Sequence, residues 1–577
     1  MAVTRRHLIR SAATMALAST SFPVPLQARP STSRPKPASL QKRWGDQGDG
    51  SYINPVLPAD YSDIDVIRAG DHFIAISSTM HVVPGMVVLK SDDLVNWRTV
   101  GHAIPDVSAL GPELSWRNMS AAGRGIWAGA IRYHAGRYWI YFTCPDSGIF
   151  LTTAPAAEGP WSPLKLILAA PGYDDPCPFW DEDGQAYLVA THFAFDPATK
   201  RDYEVHLFRL DADGGLASTS SRIIHHSQGS EANKLYRIDG VYLHYYSEVR
   251  AEGRVPMMAR ARSLEGPWEH RQLLHVDPRT DKEPNQGGLV EAPDGSWWFL
   301  TQQGTGDWEG RAMCLLPVRW YDGWPVIGDI GADGVGRMVW HARKPVSGGQ
   351  PLPPSLSDSF DGAVLDPRWE WNHQPRDDMW SLTERPGHLR LHAFQPARAG
   401  ELLAAGNTIS QRAWRTARNE VTAVMVIDQM SSGQRAGLVH FSGGYAALGV
   451  EQQGSQRTIV YRDDHGLTVR GPVLRSSRVW LRSEWGFDGL ARASYSEDGV
   501  QFQQFGRLYR LTWGNYRGDR VGLYSLNPES VSGFVDIAFF DYRIANQGGS
   551  FSGTPLRGST ITAPIAINHG SEVISAA

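Results

Sequence analysis

Five times between residues 68 and 301, a turn containing glycine leads into a run that alternates aromatic and aliphatic residues. The copies are RAGDHFIAIS at Gly70, YHAGRYWIYF at Gly136, DEDGQAYLVA at Gly184, RIDGVYLHYY at Gly240 and APDGSWWFLT at Gly295, spaced by 66, 48, 56 and 55 residues. Alternation with period two predicts strands, and a glycine turn between two of them predicts a hairpin. One hairpin per ~50 residues is the length of a four-stranded sheet, so five copies predict five propeller blades. A second repeat agrees: SDDLVNW (91–97), APAAEGPW (154–161) and ARSLEGPW (261–268) each carry a turn that ends on tryptophan. The pattern places the propeller at 44–342. RKPVSGGQPLPPSLS, 343–357, reads as a linker. Evenly spaced strand candidates follow, among them HLRLHAF (388–394), NEVTAVMVID (419–428), RAGLVHF (435–441) and FVDIAFFDYRI (534–544). They predict a β-sandwich at 358–545. The expected class is all-β, with a tail at 546–577 too polar and small-residue-rich to order itself.

Composition narrows the function. The 577 residues hold 21 Trp, 20 Tyr and 19 Phe beside 59 Gly and 37 Pro, a mixture of strand formers and turn formers. Three cysteines exclude a disulfide scaffold. Net charge is -4, but residues 1–43 carry eight Lys/Arg and no acid, which leaves the remainder at -12. Such an acidic body is a poor match for nucleic acid. The paired Arg5 and Arg6 precede a charge-free stretch from Ser11 to Ala28, the pattern of a twin-arginine export signal with cleavage near Ala28. Pro23 and Pro25 interrupt that stretch, so stable membrane insertion is not expected. The folded protein is expected in the periplasm or outside the cell.

Candidate chemistry comes from the repeat. The strand before each glycine turn is expected to line the central channel. Nine residues before the turn glycine stand Trp127, Asp175, Glu231 and Gln286 in blades two to five, and seven before it in blade one stands Asp63. Three of five channel positions are thus expected to be carboxylates on different blades. Acids crowded together shift one another's proton affinity, which folding does not need and general acid/base chemistry does. Cleavage of a glycosidic bond needs one acid for the leaving oxygen and one carboxylate to activate water or attack.

These segments resemble glycoside hydrolase family 43, in the branch of β-xylosidases and α-L-arabinofuranosidases with a C-terminal concanavalin-like sandwich. The resemblance is carried in order by YINPVLPADYSDIDVIRAG (52–70), GIWAGAIRYHAGRYWIYF (125–142), DDPCPFWDEDGQAYLV (174–189), EANKLYRIDGVYLHYY (231–246), QGGLVEAPDGSWWF (286–299) and GRAMCLLPVRWYDGWPVIG (310–328). It implies Asp63 as general base, Asp175 as the acid that tunes and orients the proton donor, and Glu231 as general acid. It implies inversion at the anomeric carbon, with Asp63 and Glu231 roughly 6.5–9.5 Å apart. Arg311, Trp127, Gln286 and His81 are implied as sugar-binding positions, and Phe441 as a residue the sandwich sends to the pocket. The implied substrate is an oligosaccharide ending in β-1,4-xylose, with arabinofuranose on arabinoxylan or arabinan as the alternative. No cofactor is required, although a structural calcium near Asp358 or Asp361 is implied for the sandwich. Gly129, Cys177 and Cys314 depart from the family pattern. Cys314 replaces a histidine that supports a central metal ion in many relatives, so metal content stays open. A carbohydrate-binding protein without catalysis and a fructan hydrolase are the rival readings. Oligomeric state is not legible.

Overall fold

A computed structural model describes residues 43–193, 202–277, 284–303, 307–348 and 351–546. The expected export signal with its cleavage point, and the tail from 547 onward, lie outside the described residues. Among those residues the structure is strands joined by turns, with three short 3-10 turns and no helix long and apolar enough to cross a membrane.

Five four-stranded antiparallel sheets follow one another from Ser62 to Ile327. Each begins with a channel-side strand: Ser62–Ala69, Gly129–His134, Tyr173–Trp180, Glu231–Ile238 and Gly287–Glu291. These first strands pack against one another around the ring. The ring is closed by strand Ser51–Ile53, which pairs with Gly45–Asp46 on one side and His341–Arg343 on the other. Asn54 locks this closure, its Nδ2 donating to the carbonyls of Leu315 and Val339 at 2.7 Å each. Each Gly-Pro-Trp turn has a steric reason for its glycine. Gly159 and Gly266 lie at φ 100° and 84°, and a Cβ there would meet Trp161 or Trp268 at 3.2 and 3.0 Å.

The channel interior is tied by one arginine. Arg132 of blade two donates to Asp65 Oδ2 of blade one at 2.7 Å, reaches Cys177 Sγ of blade three at 2.9 Å, and lies over the Tyr236 ring of blade four. Cys177 therefore serves as a buried acceptor for this tie. Cys314 is also buried, in the apolar layer with Leu243, Phe299 and Leu316.

Two further sheets form the sandwich, each of eight strands. Their facing sides bury Trp369, Leu389, Val421, Leu481, Leu523 and Ile537, each at 1% exposure or less. Each such Val, Leu or Ile contributes about 1.5–3 kcal/mol. The linker does not separate the sheets cleanly. Val82–Val83, inside blade one, pairs with Glu370–Asn372 and becomes the edge strand of one sandwich sheet. A single apolar cluster runs from Trp97, Trp298 and Trp308 of the propeller to Trp369 and Trp414 of the sandwich. The two domains are built as one body.

Candidate active site

The carboxylates owe their positions to a shared irregularity. In blades one, three and four the channel strand bulges, with two residues facing one on the partner strand, between Ser62 and Asp65, Asp174 and Cys177, and Glu231 and Lys234. The first extra residue adopts a left-handed conformation each time: Asp63 at φ 55°, Asp175 at 49° and Ala232 at 69°. Bulges of this kind re-aim side chains and concentrate near functional sites.

This corrects the expected alignment. Asp63 and Asp175 do occupy matching positions, but blade four has Ala232 there. Glu231 lies one residue earlier, matching Asp174 and Ser62. Counting from the turn glycine misleads because the turn of blade three encloses residues 181–185, whereas that of blade four encloses only Asp239 and Gly240.

The bulges bring Asp174, Asp175 and Glu231 together, one carboxylate oxygen of each lying within 4.8 Å of the others. Asp174 was not singled out in the sequence, although the Asp174–Asp175 doublet was the available signal. Asp175 is 2% exposed and accepts bonds from Ala232 N–H at 2.7 Å and from Gln286 Nε2. Asn233 Nδ2 donates to its carbonyl at 3.3 Å. Asp175 thus pins the bulge that carries Glu231. Asp174 accepts from Thr143 Oγ1 at 2.8 Å and from Asp175 N–H at 2.9 Å. Burial, then the neighbouring Asp175 and Glu231, hold its proton affinity well above the usual range. Burial also raises Asp175, opposed by Lys234 and its two donors. Glu231 is pushed up to about 7 by burial and by the Asp175 charge, against the pull of Arg254, whose Nε lies 3.0 Å from its Oε1.

Asp63 is held differently. Arg311 donates to its Oδ1 at 2.7 Å, Ser78 Oγ donates to its Oδ2, and its own N–H is bound by Gln302 Oε1. Arg311 also acts electrostatically on Glu231, so one cation faces both acids. Its Nε is buried with no partner, as is Oε1 of Gln286.

One wall of the site comes from the sandwich. Residues 511–519 bring Trp513 and Tyr516 to 5.7 and 6.0 Å from the Arg311 guanidinium, and Tyr516 meets Trp127 edge-on at 5.7 Å. Arg517 anchors the loop, pairing with Asp60 Oδ2 at 2.7 Å and donating to Ser78 carbonyl at 2.9 Å. Gly123 receives the loop: at φ 78° its Cβ would lie 3.2 Å from Asn515 Cα. Trp127 Nε1 donates to Gly123 carbonyl, and Gly123 N–H donates to His81 Nδ1, both at 3.0 Å. His81 therefore stands behind the wall, held neutral by burial and by His373 beside it. Phe441 does not reach the pocket. It is 4% exposed in an apolar cluster with Leu402, Val439 and Tyr524, and the loop at 511–519 takes the place expected for it.

The sequence matches the Glycosyl hydrolases family 43 profile over residues 52–325 and the Beta xylosidase C-terminal Concanavalin A-like domain over 357–543. It is 33% identical to a β-xylosidase of Formosa agariphila, over 92% of this chain and 97% of that protein. The chain belongs to glycoside hydrolase family 43. Among solved family 43 structures, a bifunctional GH43-CE protein of Bacteroides eggerthii superposes with a TM-score of 0.75 at 28% identity, covering 85% of this chain and 64% of that one. Another, engineered to display both endo-xylanase and exo-arabinofuranosidase activity, gives 0.74 at 26% identity, covering 86% of this chain and all of that one. This family 43 member is a glycoside hydrolase with a five-bladed propeller and a concanavalin-like sandwich.

The two acids expected to hold a structural calcium both make hydrogen bonds within the sandwich. Both carboxylate oxygens of Asp358 are engaged, with Phe360 N–H and Trp369 Nε1, each at 2.8 Å, and Asp361 accepts from Ser359 Oγ on an exposed turn. Asp358 thereby braces the first strand of the sandwich. Neither acid belongs to a group of three potential ligands among the described residues.

Proposed function

We propose that the protein is an exported, inverting exo-β-xylosidase that removes terminal β-1,4-linked xylose from xylo-oligosaccharides. The observation that carries this reading is the contrast between two acids within one cluster of charges. Glu231 binds its proton up to about pH 7 despite its pair with Arg254, while Asp63 is held on both oxygens, by Arg311 and by Ser78. In this reading Glu231 protonates the departing oxygen and Asp63 takes a proton from the attacking water. Inversion needs no covalent intermediate, so the Arg311 pair can fix the direction of Asp63 throughout. Asp175 positions Glu231 through Ala232 and keeps its proton in place by its own charge. Gln286 Oε1 and Arg311 Nε, both buried without partners, are an acceptor and a donor suited to sugar hydroxyls. The wall of Tyr516, Trp513 and Trp127 supports removal of one terminal residue, because it closes a side along which a longer chain would run. The β-xylosidase among the relatives supports xylose as that residue. Terminal α-L-arabinofuranose is the second reading, supported by the exo-arabinofuranosidase activity of a structural relative. Export rests on Arg5, Arg6 and the charge-free segment behind them.

The test is hydrolysis of aryl β-D-xyloside and aryl α-L-arabinofuranoside by the protein and its Asp63→Ala variant, with the first-formed sugar followed by proton NMR. The expected result is faster xyloside cleavage that releases α-xylose and is lost in the variant. Release of β-xylose would refute inversion, and full activity in the variant would refute the role of Asp63.

A further inference from the structure

Two strands of blade three carry a set of metal-type ligands that the glycosidase chemistry does not use. Tyr173–Trp180, Ala186–His192 and Asp202–Leu210 are adjacent antiparallel strands, with His192 directly opposite Glu204. Opposite residues share a face of the sheet, and so do residues two apart on one strand. His192, Glu204 and His206 therefore project together. One ligand atom of each lies within 4.8 Å of the others, and all three are half-buried.

We propose that His192, Glu204 and His206 form a binding site for one zinc ion. Two imidazoles and a carboxylate are a donor set that zinc takes, with the remaining position left to water. Bond lengths of 2.0–2.1 Å at tetrahedral angles put neighbouring ligand atoms about 3.3 Å apart. His206 Nε2 and Glu204 Oε2 already stand 3.1 Å apart. His206 has the support such ligands need, because its other nitrogen, Nδ1, lies 2.7 Å from Ser221 Oγ. His192 makes no hydrogen bond through either nitrogen among the described residues. Its ring is held by contacts with Tyr173 at 4.6 Å and His206 at 5.7 Å. The carboxylate supplies charge that two neutral imidazoles lack. A bound ion would fasten the second and third strands of the blade whose first strand bears Asp174 and Asp175.

The experiment is calorimetric titration of zinc chloride into chelator-treated full-length protein lacking a polyhistidine tag, alongside His192→Ala, His206→Ala and Ser221→Ala. The expected result is one equivalent bound by the wild type. Ser221→Ala should weaken binding about 10- to 100-fold, and each histidine variant should weaken it further. Near-UV circular dichroism checks that each variant is folded, and Ser221→Ala, a one-atom change just before strand Arg222–Gln228, keeps the test open if a histidine variant misfolds. No zinc uptake by the wild type would overturn the proposal. So would uptake unchanged in Ser221→Ala and in the folded histidine variants, which would place the ion elsewhere, for instance on Asp174, Asp175 and Glu231.

Discussion

At the seam between propeller and sandwich, Glu370 is fully buried, yet Arg412 lies 2.9 Å from one of its oxygens, Arg520 bonds the other, and His102 lies 3.3 Å away. Burial alone pushes such a group up, but the two arginines hold it well below the usual carboxylate range. At the channel mouth two buried carboxylates, Asp174 and Asp175, stand beside the half-buried Glu231, and desolvation and mutual repulsion win. Both regions take acids out of water. What separates them is the number of cations in contact. The seam gives Glu370 an arginine on each oxygen and gains a fixed domain arrangement. The channel shares Arg254, Arg311 and Lys234 among four acids and keeps a proton available near neutral pH.

The comparison is broken most directly by removing the proton. Glu231→Gln should lower kcat on oligosaccharides by 10²–10⁴-fold, the usual contribution of a general acid, measured by sugar release. Loss of one seam partner acts on stability instead. Glu370→Ala leaves buried arginines uncompensated and should cost about 3–5 kcal/mol, read from denaturant unfolding, with little change in rate per folded molecule.

Acidity sharpens the contrast because the two regions answer pH in opposite senses. In its proposed role as general acid Glu231 acts protonated, so kcat/KM should fall as pH rises through about 7. Its folded affinity lies above the unfolded value, so the stability it contributes is full below about pH 4.5 and is lost as pH rises towards 7. Glu370 has the reverse sign: its contribution is full above about pH 4.5 and disappears as pH falls below it. Unfolding free energy followed against pH in Glu231→Gln and in Glu370→Gln should separate the two. Smaller effects distinguish the neighbours of Glu231. Asp175→Asn removes a charge that raises Glu231 and should move the alkaline limb of kcat/KM to lower pH. Asp174→Asn removes an acid whose charged form burial already disfavours and should change the rate less than about tenfold. Tyr516→Ala, at the outer wall, should raise KM more than it lowers kcat.

How much of this was legible follows from the range of the interactions involved. Turn glycines and alternating runs are local, so Gly70, Gly136, Gly184, Gly240 and Gly295 mark five blades in the sequence itself. Asp63, Asp175 and Glu231 stood out for a related reason, since each lies a short, nearly constant distance from its turn. The one-residue offset of Glu231 was not legible, because a bulge is defined by its partner strand. Asp174 was hidden beside Asp175, and only the fold shows both carboxylates reaching the cluster. The loop at 511–519 was beyond sequence reasoning altogether. Its contacts with Gly123, Arg311 and Ser78 span some 200 to 440 residues, and Phe441 was a plausible substitute only while the sandwich had no register. The insertion of Val82–Val83 into the sandwich was missed for the same reason.

The central claim is that Glu231, raised by burial among carboxylates, is the proton donor. Its most direct test compares wild type and Glu231→Gln on xylobiose and on an aryl xyloside with a strongly acidic phenol, which departs without protonation. The account predicts a loss of 10²–10⁴-fold on xylobiose and a far smaller loss on the aryl substrate. Equal losses on both substrates, or no loss on xylobiose, would contradict it.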